Sequence, residues 1–78
     1  MKMEELVKEA WKALRKQAKK YKLPQDKDSL VDVIESSKLS KNEKQFHRDP
    51  DVIWNLAYLQ GAADAYDVTL MGLLDEAL

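Results

Sequence analysis

A chain of 78 residues with 13 basic and 14 acidic side chains, no cysteine and a 45% hydrophobic share is expected to form one small domain with one modest core, and its composition argues against wholesale disorder. It has no cysteine for a disulfide or thiolate metal site and no apolar run of signal-peptide or bilayer length, so the expectation is a cytoplasmic protein without a membrane span. The charge is sorted by position: residues 2–22 carry 8 bases and 3 acids, residues 23–48 carry 5 of each, and residues 49–78 carry 6 acids and no base.

The first predicted helix runs from about Met3 to Lys22. Leu6, Val7, Ala10, Trp11, Leu14, Ala18 and Tyr21 recur at spacings of three and four and form its apolar stripe. Leu23-Pro24 is expected to end it, because the residue before a proline is pushed out of helical geometry. A second helix is predicted from about Ser29 to Lys38, capped by Asp28 or Ser29, with Leu30, Val33 and Ile34 as its apolar face. Ser40 with Glu43 has the spacing of a capping box, so a short helix should follow from Lys41 to about His47, anchored by Phe46.

Asp49-Pro50 is the clearest boundary in the chain, with an N-cap aspartate followed by proline at the first helical position. The fourth helix is predicted to reach about Tyr66. Its apolar residues cover more than one stripe, which predicts a central position with neighbours on two sides. Gly61, Ala62, Ala63 and Ala65 make one segment thin enough for close helix approach. Asp67 is expected to adopt a left-handed capping conformation. Thr69 should cap a last helix from Leu70 to Ala77, with Val68 and Leu73 as a hydrophobic staple. The predicted fold class is therefore all-α: a single bundle of four to five helices with a central helix at about 50–66, and the first, second and fifth packed round it.

Three kinds of chemistry are written into these elements. Lys12, Arg15, Lys16, Lys19, Lys20 and Lys22 are candidates for phosphate contacts with nucleic acid. The competing reading is a solvated face, since Glu4, Glu5 and Glu9 near the helix start and lysines near its end suit the helix dipole. The run Ala63–Thr69 looks like the turn of a helix-turn-helix. The helix after it offers no Arg, Lys, Asn, Gln or Ser to base edges, so it is not read as a DNA reader.

Asp32 with Glu35, and the stretch Asp51–Leu59 followed by Asp67–Leu70, resemble parts of the all-α nucleoside triphosphate pyrophosphohydrolases of the MazG-like kind. That resemblance implies a magnesium-dependent enzyme with acidic pairs on two helices. In this chain Arg48 stands where the family's second glutamate would be. Asp49 and Asp51 have a competing structural use as cap and first-turn charges. His47 is read as a surface residue, and no serine or cysteine nucleophile stands beside a base. No residue set calls for a cofactor or a bound metal.

Trp54 and Tyr58 are i,i+4 neighbours off the main stripe, suited either to the core or to an exposed pair. The last helix has an apolar surplus that includes Leu74, which either oligomerises or plugs the bundle. Asp64, Asp67, Asp75 and Glu76 lie toward helix C-termini, where the dipole disfavours acids. The lysines of the first helix or a basic partner are expected to compensate them. These residues are the expected protein-binding set. The reading is a small protein-interaction module, a regulator, adaptor or inhibitor that binds a protein partner and forms a homodimer through the C-terminal region. A nucleic-acid-associated factor is the alternative, and an all-α pyrophosphohydrolase the third.

Overall fold

Sorted end charges and three-to-four spacing wind the first segment into helix α1 (Lys2–Lys20), with Glu4 and Glu5 in its first turn and Lys19 and Lys20 in its last. The computed structural model describes residues 2–78. The end of α1 comes two residues earlier than Lys22. Lys22 takes a left-handed conformation at φ 60°, and two closing bonds follow, Leu23 N–H to the Ala18 carbonyl at 2.8 Å and Lys22 N–H to the Lys19 carbonyl at 3.1 Å. This double closure turns the chain back over the last turn. It returns Leu23 to the core, so the helix is already stopped before Pro24 acts.

Helix α2 (Lys27–Glu35) also begins earlier than its sequence suggested. Asp26 is its cap, with an extended backbone and a carboxylate that accepts from Ser29 N–H at 3.0 Å. Asp28 and Ser29 are thereby drawn into the first turn. The helix ends at Glu35 because Ser36 is extended, and its hydroxyl bonds locally with the backbone of Lys38. Val31 is buried with Leu30 and Ile34, whereas Val33 is only partly covered.

Helix α3 (Lys41–Arg48) carries the expected capping box, with both Ser40 and Glu43 bonds formed, and it buries Phe46 completely. Asp49 closes α3 and opens α4 (Pro50–Ala65), where its carboxylate accepts from Asp51 N–H at 2.9 Å. The end of α4 repeats the closure seen at α1. Asp67 is left-handed at φ 56°, as expected, and Val68 N–H reaches the Ala63 carbonyl at 3.0 Å. Helix α5 (Leu70–Ala77) is capped by Thr69, whose hydroxyl accepts from Gly72 N–H at 3.0 Å.

Among the described residues these five helices are the only regular elements, and one hydrophobic cluster draws side chains from all of them. The α1–α4 pair is the principal contact, and α5 packs on both partners of that pair. The radius of gyration is 11.8 Å, close to the roughly 11.5 Å of a compact chain of this length. Helix α2 rests on α5, and α3 is the further neighbour of α4. Helix α4 is central as expected, touching α1, α5 and α3. The correction concerns α2, which packs on α5 where it was expected on α4, and α3 takes its place.

Helix α4 is one-sided. Val52, Leu59, Ala62 and Ala63 are buried, while Ile53, Trp54, Ala57 and Gly61 face outward. The thin segment accordingly serves two sides: Ala62 and Ala63 touch the core, and a Cβ built on Gly61 would meet nothing within 4 Å. Leu6, placed on the apolar stripe of α1, is exposed at the edge of that stripe, and Tyr66, the C-cap of α4, is exposed as well. No helix among the described residues is long and apolar enough to cross a membrane.

Candidate functional site

The outward side of α4 is the most unusual surface of the fold. Trp54 is 78% exposed, Ile53 53% and Leu6 52%, although full exposure of such side chains forfeits about 1.5–3 kcal/mol each relative to burial. Trp54 and Tyr58, with Leu6, Glu9, Ala10 and Asn55, line an open groove between α1 and α4. A second shallow depression continues along α4 past Ala57. The groove exists because α4 spends its buried stripe on Val52, Leu59, Ala62 and Ala63, leaving residues of similar hydropathy on the opposite side. The open alternatives for Trp54 and Tyr58 thus separate. Trp54 stands in solvent, and Tyr58 is half-buried against the core.

The acids expected at helix C-termini fare differently from one another. Asp75 is paired with Lys27 of α2, not with the lysines of α1, and α2 packs against α5. That carboxylate holds the Lys27 ammonium above its ordinary range. Asp64, Asp67 and Glu76 are exposed, and none of them forms an ion pair among the described residues. Leu74 is removed from the surface altogether. It is fully buried, with Leu70, Leu73 and Ala77 beside it, so the apolar surplus of α5 plugs the bundle.

The six bases proposed for phosphate contact are also divided. Lys12, Lys16, Lys19 and Lys22 are exposed. Arg15 uses its Nε to donate to the Gln25 carbonyl at 3.0 Å, tying α1 to the loop before α2. Lys20 lies 3.8 Å from the Asp49 carboxylate and 5.4 Å from the centre of the Tyr21 ring.

The acids named for metal chemistry do not converge. No group of three or more His, Asp or Glu residues among those described is arranged to hold a metal ion. Asp51 receives the Gln17 side-chain amide at 3.4 Å. The His47 Nε2 lies 3.1 Å from the Val33 carbonyl, and its ring packs edge-on against Phe46, which joins α3 to α2.

One polar cluster had no sequence signal. The Tyr21 hydroxyl donates to the Asp49 carboxylate at 2.6 Å, and among the described residues Asp49 is the buried charged side chain, at 8% exposure. The Tyr21 bond, the backbone N–H groups of Asp51 and Val52 and the Lys20 ammonium together hold the Asp49 carboxyl below the usual carboxylate range, against the opposing effect of burial. The same bond raises Tyr21. The two residues stand 28 apart at the ends of different helices, a separation that no local spacing rule connects.

Compared with known proteins, the chain matches no family model, no curated protein and no solved structure.

Proposed function

We propose that this protein is a protein-interaction module, a regulator, adaptor or inhibitor that works by presenting the outward face of α4 and the adjoining edge of α1 to a protein partner. The observation that carries this reading is Trp54, a tryptophan 78% exposed between two other exposed apolar side chains, Leu6 and Ile53. Tryptophan is among the residues most enriched at binding hot spots, because it supplies a large contact area at low entropic cost. Isolated surface leucines are ordinary, but a contiguous apolar patch rimmed by polar residues marks an interaction site. Glu9 and Asn55 supply that rim here.

The test is an affinity capture from the source organism's lysate with wild-type protein and Trp54→Ala, followed by titration of the purified captured protein. Trp54→Ala should keep its circular dichroism spectrum, since the side chain is in solvent, and should weaken binding at least about tenfold, the loss of about 1.4 kcal/mol expected of a hot-spot residue. Equal binding by both proteins overturns this face as the binding surface.

A further inference from the structure

We infer that α3 is a DNA-reading helix, which enters the major groove of a DNA duplex with Lys41, Asn42, Lys44, Gln45 and Arg48 turned toward the bases and phosphates. This goes beyond the protein-interaction reading and does not depend on it, since none of these residues lies on α4 or α1. The first argument is which side chains the helix leaves in solvent. Those five are the exposed residues of α3. At about 100° per residue they fill one arc of about 160°. Each is a type that hydrogen-bonds base edges, Arg and Lys to guanine and Asn and Gln to adenine. The other three residues are turned away. Phe46 is in the core, His47 meets the Val33 carbonyl of α2, and the Glu43 carboxylate folds back to accept Ser40 N–H at 3.3 Å. The outward arc therefore carries no acid. It has the reading chemistry that α5 lacks.

Charge points the same way. Residues 23–48 sum to zero, but four of their five acids, Asp26, Asp28, Asp32 and Glu35, belong to the cap and body of α2. Lys41, Lys44 and Arg48 all belong to α3. Helix α2 meets α3 through His47, about 140° round the helix from the centre of the basic arc. On the other flank, Lys22 at the end of α1 shares a cleft of about 200 Å³ with Asn42 and Gln45, and its side chain is exposed. Lys22 and Lys44 thus stand at the rims of the arc, where phosphate contacts fix a helix in its groove. Lys20 lines the same cleft but is engaged with the Asp49 carboxylate at 3.8 Å. Helix α3 packs chiefly on α4, which leaves the arc unobstructed. A helix roughly 10–12 Å across fits a major groove roughly 12 Å wide.

Fluorescence anisotropy of the intact chain with a labelled DNA duplex of random sequence tests this. At about 50 mM salt the duplex should bind with a Kd below about 10 µM. By about 200 mM salt binding should weaken about a hundredfold, the counterion release expected of Lys22, Lys41, Lys44 and Arg48. Lys44→Ala with Arg48→Ala should lose at least about tenfold in affinity, whereas Lys8→Ala with Lys12→Ala, which removes the same charge from α1, should lose less than about twofold. Gln45→Ala changes no charge. It should keep the salt dependence and weaken the base preference of duplexes selected from a random pool about fivefold or more. An RNA duplex of the same sequence should bind at least about tenfold more weakly, since its major groove is too deep and narrow for side chains to read.

All the substituted positions are exposed, so each variant should keep the circular dichroism spectrum of wild type. No binding at low salt, or binding to polyglutamate as tight as to the duplex, overturns DNA as the ligand. Equal losses from the two double variants, equal affinity for the RNA duplex, or a base preference that is absent or unchanged in Gln45→Ala overturns α3 as the reading helix.

Discussion

Lys22 and Asp67 close the two long helices in the same left-handed conformation, at φ 60° and 56°, yet they do not bear it equally. A Cβ in this region crowds the following carbonyl at a cost of about 1–2 kcal/mol, which Asp tolerates better than Lys. Lys22→Gly is therefore expected to stabilise the protein by about 1 kcal/mol and Asp67→Gly by less, as chemical denaturation would measure. At the same scale, Tyr21 and Asp49 make stability depend on pH from both sides. The Asp49 carboxyl is depressed in the folded state, so its contribution is present above its unfolded value of about 3.9 and is lost as pH falls through the folded value. Tyr21 is raised, so its contribution is present below about pH 10 and is lost as pH climbs through the folded value. Tyr21→Phe should lower the melting temperature at neutral pH and make both limbs of the stability–pH profile shallower. A profile unchanged in shape would show that the bond contributes nothing.

Among the elements, α4 and α5 carry similar apolar surpluses and dispose of them in opposite ways. Helix α5 is short and enters the space that α1 and α4 leave, so Leu74 becomes one of the fully buried side chains. Leu74→Ala should cost about 2–5 kcal/mol in a domain whose core supplies only about 3–5 kcal/mol. Thermal melts should show it largely unfolded rather than folded with an altered surface. Helix α4 spends its buried side on α1, α3 and α5 and has no helix over its outward side, which leaves Trp54 in solvent. Composition cannot distinguish these fates, because periodicity reports which residues share a face and not what stands opposite. The caps were readable for the converse reason. Ser40 with Glu43, Asp49 with Pro50, Asp67 and Thr69 act on the backbone within a few residues, and each occupies its expected place. Asp26 was missed because Asp28 and Ser29 offer the same cap chemistry within one turn.

In the whole molecule, the charge sorting resolves into contacts of different kinds. The bases of α1 lie at its C-terminal end and meet the N-terminal end of α4 through Lys20 and Asp49. Asp75 is satisfied by Lys27 from the neutral middle segment. Asp64 and Asp67 at the end of α4 and Glu76 at the end of α5 remain exposed with no ion pair among the described residues.

By itself the sequence determined the helical class, the helix order, most caps and most of the core, because these follow from backbone hydrogen bonding and from spacing within one helix. Only the tertiary structure decided that Leu74 is core and Trp54 is surface, that Tyr21 binds Asp49 and that Lys27 binds Asp75. Each of those outcomes depends on which helix lies across from which. That choice is made by the fit of all five apolar faces at once, a property no single stretch of the chain carries.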